Sequence, residues 1–184
     1  MSTLIVSTIS PLGTDATKTI TIGSASNGDV AAGVFTNVPA FMVLADSTFS
    51  VPDSTNTAVT FDTVIYDTDS ATSSGLFTCP SGKAGKYFFT ANGGLATAND
   101  VDEVVWAISK NGQTSLSSNA GDIVCANYHH DGTQVTNYTQ AISAVFDLAV
   151  GDTVGVRCYQ NFGGAKNTNT DGRCTFSGYK LIGA

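Results

Sequence analysis

The sequence predicts an all-β sandwich or barrel led by a short N-terminal β arm, and three observations carry that prediction. Charged residues are only 12% of the 184, far below the roughly 25% of an average soluble chain. Thr (25), Ser (18) and Asn (12) together exceed a quarter of the residues, while Glu occurs once, at Glu103, against 14 Asp. From Pro39 onward, short alternating apolar runs recur with Gly, Asn and Asp between them, the pattern of many short strands. Helix formers are too scarce for a bundle or coiled coil. The length suits one well-cored domain with a modest appendage.

Residues 1–38 read as that appendage, an arm that docks onto a particle or a neighbouring subunit. They lack Tyr and Trp and are broken by Pro11-Leu-Gly13 and Ser26-Asn-Gly-Asp29. Between the breaks lies Thr17-Lys-Thr-Ile-Thr-Ile-Gly23, which can pair as a strand but cannot enclose a core alone. Residues 39–184 form the domain proper. Its predicted strands begin with Pro39–Leu44, Ala58–Tyr66, Gly75–Thr78 and Gly85–Thr90. They continue with Val104–Ser109, Ala141–Leu148, Asp152–Tyr159 and Thr175–Ile182. Ser81-Gly82, Asn92-Gly-Gly94, Asn111-Gly112, Asp131-Gly132 and Gly151-Asp152 are the expected breakers.

One segment offers two readings. Asp100–Lys110 has an acidic start, Glu103 three residues on, and apolar residues at helical spacing, which hints at a capping box. The same residues place Val104, Trp106 and Ile108 on one face of a strand, and Asn111-Gly112 follows as a hairpin signal. β-branched and aromatic content decides for the strand.

Charge and cysteine set further bounds. The net charge of −7 comes from 15 acidic and 8 scattered basic residues, so no basic stripe exists for nucleic acid or for an anionic membrane surface. No apolar run approaches the ~20 residues of a spanning helix. Met1–Ser10 has neither a basic n-region nor a sustained apolar stretch, so the expectation is synthesis in a cytoplasm without a secretory signal. Cys79, Cys125, Cys158 and Cys174 have no CxxC or Cys–His spacing. Free thiols are therefore expected, and a zinc site is not.

Four stretches carry a resemblance. They are Phe61-Asp-Thr-Val-Ile-Tyr-Asp67, Gly75-Leu-Phe-Thr-Cys-Pro80 leading into Gly85-Lys-Tyr-Phe-Phe-Thr90, Leu148-Ala-Val-Gly-Asp-Thr-Val154, and Thr175-Phe-Ser-Gly-Tyr-Lys-Leu181. In this order they resemble the C1q/TNF-type jelly roll over residues 39–184. Pro80 cannot donate to a ladder and ends its strand. Tyr87 and Phe89 point one way and Phe88 the other, so a pair of aromatics fills the space between two sheets. The resemblance implies a homotrimer with aromatic and aliphatic residues along the three-fold contact; Tyr87, Phe89, Phe176 and Tyr179 are the candidates for core or trimer packing. The chain has no collagen-like Gly-X-Y repeat. Its opening, with Lys18–Gly23 and Pro39-Ala-Phe41, is similar to the leaders of bacteriophage fibre and virion-surface proteins that bear C1q-like heads.

Catalytic motifs are missing: the sequence has no GxSxG, HExxH, GxGxxG or P-loop. Ser177-Gly-Tyr-Lys180 fits SxxK spacing, but on a strand Ser177 and Lys180 fall on opposite faces. The expected binding features are loop aromatics and histidines: Tyr128, His129, His130 and Asp131, then Tyr138 and Phe162. The adjacent histidines suit a metal only on a turn, or repeated about a three-fold axis. Asp67-Thr-Asp69, Asn99-Asp-Val-Asp102 and Asn169-Thr-Asp171 are of the type that binds Ca²⁺ but lack EF-hand spacing, so no cofactor is expected beyond that calcium option. The expectation is a non-enzymatic virion structural protein, either a fibre or spike head binding host-surface glycan or protein, or a capsid decoration protein stabilising the shell. The alternatives are a lectin-like bacterial module and an enzyme such as a capsule depolymerase.

Overall fold

The fold is taken from a computed structural model, which describes residues 38–98, 103–116, 121–129, 135–170 and 172–181, with the backbone alone at 97–98, 127–129 and 135–138. The strands among them are, in order, β1 (Ala40–Leu44), β2 (Ser50–Val51), β3 (Thr57–Ala58), β4 (Thr63–Asp67), β5 (Thr72–Ser73) and β6 (Leu76–Thr78). There follow β7 (Gly85–Ala98), β8 (Glu103–Lys110), β9 (Ile123–His129) and β10 (Val135–Leu148). The last three are β11 (Thr153–Gln160), β12 (Lys166–Asn167) and β13 (Thr175–Lys180). The arm expected at residues 1–38 lies outside the described residues except for Val38; Val38–Ala184 forms one compact unit.

Two antiparallel sheets make the sandwich. The first runs β10-β7-β13-β1-β4, and the second runs β5-β6-β11-β8-β9 with β3 also paired to β11. A small β12-β2 ribbon lies beside them. The inward residues of the first sheet are aromatic: Phe41, Tyr87, Phe89, Phe146 and Phe176 are all buried. The second sheet answers with Phe77, Val104, Trp106, Ile108, Val154 and Val156. Phe41 stacks on Phe77 at 5.1 Å, and Phe77 meets Phe89 edge-on at 5.6 Å, geometries favoured by the ring quadrupole. Burial of each such ring stabilises by about 1.5–3 kcal/mol. Tyr87, Phe89 and Phe176 thus belong to the intersheet core. Only Tyr179 of the four aromatic candidates faces outward.

Asp100–Lys110 resolves as strand from Glu103 onward, as its β-branched content requires. Asn111 and Gly112 both have positive φ, and Gly151 turns the chain into β11. Three expectations need correction. Ala58–Tyr66 is two strands, β3 in the second sheet and β4 in the first; the chain crosses between layers at Phe61, which is buried in the core. Gly75 makes room for it, since a Cβ there would overlap the Phe61 ring. Asn92-Gly93-Gly94 is no breaker, and β7 runs through it to Ala98. The cause is Trp106, whose indole occupies the space a Gly93 side chain would need. Finally, Tyr128, His129 and Tyr138 stand in strands β9 and β10, not in loops.

The four cysteines are free, with Cys79, Cys158 and Cys174 buried. Burial pushes the Cys158 thiol well up, keeping it protonated. No helix of the described residues is long and apolar enough to cross a membrane.

Candidate functional site

The two outer faces of the sandwich carry different surfaces. On the first sheet, strand registry aligns side chains across neighbouring strands. Val145 pairs with Phe88, Phe88 with Tyr179, and Tyr179 with Ala40. One pleat along, Met42 pairs with Tyr66. The result is an apolar ladder crossing the sheet. Val145 is 53% exposed and Tyr179 49%, while the Phe88 and Tyr179 rings lie 5.5 Å apart. Tyr66, 47% exposed, carries the ladder onto the edge strand β4, where Val64 and Ile65 are exposed at the sheet's edge. A two-layer fold ordinarily leaves polar residues on such a face, so this patch calls for a cover.

On the second sheet the outer face is covered by the chain itself. Strand β8 is buried on both sides, from Val104 through Ser109. Outward-facing Ala107 is fully buried and Val105 nearly so. The segment after the Asn111-Gly112 turn folds back over them: the Asn56 side-chain amide donates to the Thr114 carbonyl, and the Cys125 thiol points at the Leu116 carbonyl at 3.8 Å. Arg157 fixes Asn56 in turn, donating from Nε to its Oδ1 at 3.1 Å and from Nη2 to its carbonyl at 2.9 Å.

Between these pieces lies an open cleft of about 640 Å³. Val105, Leu116, Cys125 and Tyr159 give it an apolar and aromatic floor, and Ser54, Thr114 and Glu103 give it polar walls. The walls are tied down. Gln160, fully buried, donates from Nε2 to the Val51 and Gly164 carbonyls and accepts the Phe162 N–H. The Ser54 N–H donates to the Gln160 carbonyl at 2.7 Å, and Ser54 holds a positive φ of 51°. Asn161 accepts the Glu103 N–H at 2.7 Å. Burial raises the Cys125 pKa, which favours the neutral thiol over the thiolate.

The sequence candidates distribute unevenly over these surfaces. His129 pairs with Glu103 in the β8–β9 register, which puts its backbone beside the cleft. Tyr128 pairs with Val104, one residue away. His130 and Asp131 lie outside the described residues. Phe162, expected as an exposed loop aromatic, is buried with the Lys166 ammonium 5.7 Å from its ring centre; it anchors its loop. Among the described residues no group of three or more His, Cys, Asp or Glu is placed to hold a metal ion. Asp67 shows where such carboxylates go. It accepts the Ala71 and Thr72 N–H groups and the Thr72 hydroxyl at 2.7–3.0 Å. Burial opposes its charge, but these donors outweigh it and lower the pKa. Asn99–Asp102 and Asp171 lie outside the described residues.

The C1q domain model matches residues 40–181. The chain belongs to the C1q domain family. C1q/TNF domains are non-catalytic binding and structural modules, and proteins of this family typically trimerise. The globular domain of zebrafish complement 1qA is similar at 16% identity and a TM-score of 0.53, over 79% of this chain and 98% of that one. Eiger TNF from S. frugiperda is similar at 13% identity and 0.56, over 80% and 94%. Murine APRIL gives 11% identity and 0.52, over 79% and 100%. No curated protein sequence matches the chain. At these identities the shared property is the fold. The C1q domain here therefore has two surfaces to put to use, the ladder and the cleft. Sequence reading missed the cleft because its residues come from five separated segments. One signal was present: Val104-Val-Trp-Ala-Ile108 is apolar without alternation, which marks a strand covered on both faces.

Proposed function

We propose that this C1q domain works as a homotrimer at the surface of a bacteriophage virion, as a non-catalytic display or clamping element joined to the particle through residues 1–38. The observation that carries the trimer is the outward apolar ladder Val145–Phe88–Tyr179–Ala40 with Met42 and Tyr66 beside it, in which Val145, Tyr179 and Tyr66 are exposed. Aromatic and aliphatic side chains aligned on a sheet face gain by meeting copies of themselves, and a stable contact of this kind buries on the order of 2,000 Å² or more. The virion setting is supported by the leader, whose Lys18–Gly23 and Pro39-Ala-Phe41 are similar to those of phage surface proteins, and by a Ser/Thr/Asn-rich β composition. As a fibre or spike head, the domain would present its outer cleft to the host surface. As a decoration protein, it would brace shell subunits through the arm.

Imaging of gold- or fluorophore-labelled protein on assembled particles tests this reading. Label on fibres or on the shell supports it; particles that never carry the label overturn it. Label at shell-subunit junctions selects decoration over the fibre head. The cleft on the second sheet favours a second reading, a lectin-like bacterial binding module without a particle, which keeps the trimer and predicts no virion label at all.

A further inference from the structure

We propose that the cleft on the outer face of the second sheet takes a neutral saccharide ring. This names a ligand for the host-surface binding proposed above and rests on that reading, with the lining formed by described residues of a single copy. Its volume of about 640 Å³ falls within the roughly 300–1,000 Å³ of small-molecule sites. Its surface divides as a pyranose does. The apolar floor with Tyr159 suits a C–H face, and the hydroxyls of Ser54 and Thr114 with the Glu103 carboxylate suit hydroxyl edges. A carboxylate offers about four acceptor positions on its two oxygens, enough to serve adjacent sugar hydroxyls beside any protein donor. The site is also held in shape before a ligand arrives, by the Arg157–Asn56 fork, the Asn56–Thr114 bond and the Asn161–Glu103 bond. That reduces the ordering cost of binding.

Other ligand classes meet obstacles. Of the strands beneath the cleft, β8 and β11 are each paired on both sides, so an extended peptide could add only at β9, the sheet's edge on the Cys125 side, and not across the floor. An anionic ligand faces Glu103 and a net charge of −7, while the Arg157 guanidinium is committed to Asn56. A wholly apolar ligand would cover the polar walls at Ser54 and Thr114 without offering hydrogen bonds in return.

The experiment is a titration of the full-length, ¹⁵N-labelled chain with glucose, galactose, mannose, rhamnose and N-acetylglucosamine, with glucuronate as the anionic control. Amide shifts are read alongside the sedimentation mass. The expected result is a saturable shift of the Val105, Thr114, Cys125 and Tyr159 amides by at least one neutral sugar, with Thr90 and Ser177 on the opposite sheet unmoved. Tyr159→Ala should weaken that binding at least about tenfold. Because Tyr159 also packs within β11, Glu103→Gln at the rim serves as the second variant, with a loss of about threefold or more. No cleft shift with any neutral sugar, tighter binding of glucuronate, or binding that both variants leave unchanged would overturn the proposal. A single-chain mass with sugar binding intact would remove the trimer and leave the cleft; a trimer that binds no sugar would do the reverse.

Discussion

The outer faces of the two sheets are built from the same alternating strand, yet they end differently. On the second sheet, residues 54–56 and 113–116 fold over β8, and Ala107 and Val105 are buried by their own chain. On the first, Val145 and Tyr179 stay about half exposed with Phe88 half-buried between them, and no described segment closes over them. The difference teaches that apolar content on an outer strand face does not by itself reveal an interface. What matters is whether the chain supplies a cover. Where it does, the surface becomes core plus cleft; where it does not, another copy of the chain is the cover we propose.

The sharpest way to break this comparison is to place the same charge on each face. Ala107→Asp puts a carboxylate in a fully enclosed position and should cost on the order of 4 kcal/mol or more, read as a collapse of the urea midpoint. Tyr179→Asp sits on the open face, so the fold should survive with its far-ultraviolet spectrum intact. Association between copies should instead weaken at least about 100-fold, as expected for a central aromatic anchor. Equal stability losses at the two sites would erase the distinction between the faces.

How much of this was legible beforehand follows from the same contrast. Alternation read β1, β7, β11 and β13 correctly at their centres, because each has one side against the core, while β8 was read from its β-branched and aromatic content. It also gave the split of Tyr87 and Phe89 from Phe88. It failed at Asn92-Gly93-Gly94, since the reason for a glycine in mid-strand was Trp106, thirteen residues away in sequence and across the sandwich in space. It failed at β9, whose sequence Ile123-Val-Cys-Ala-Asn-Tyr-His129 does not alternate apolar with polar residues. The cleft was unreadable for a related reason. Asn56 matters because Arg157 grips it, a pairing that no local pattern encodes.

Arg157→Ala probes that grip next. It removes two charge-assisted hydrogen bonds to Asn56 and should cost about 2 kcal/mol. The added effect should be loosened amide-exchange protection at Gln113 and Ser115, whose N–H groups are bonded within this segment, with Ser177 and Thr90 unaffected. Arg157→Lys should recover little, because an ammonium cannot form the fork.

The smallest effect belongs to the turn before β11. Asp152 accepts from the Asn111 side chain and from Lys110, whose ammonium is 3.0 Å away, and from the Ala149 N–H. These hold its pKa down to about 2. A carboxyl depressed on folding contributes stability that is complete above its unfolded value, about pH 4, and is lost as pH falls toward the folded value. Wild type should therefore melt above Asp152→Asn at neutral pH, and the gap should close between about pH 4 and pH 2. A gap that persists at the acid end would assign the effect to something other than this charge.

The central claim is that the open ladder on the first sheet is closed by two further copies of the chain. Sedimentation equilibrium of the purified full-length protein at micromolar concentration tests it most directly. The account predicts a single species at three times 18.9 kDa; a species that remains at 18.9 kDa across the concentration range would contradict it.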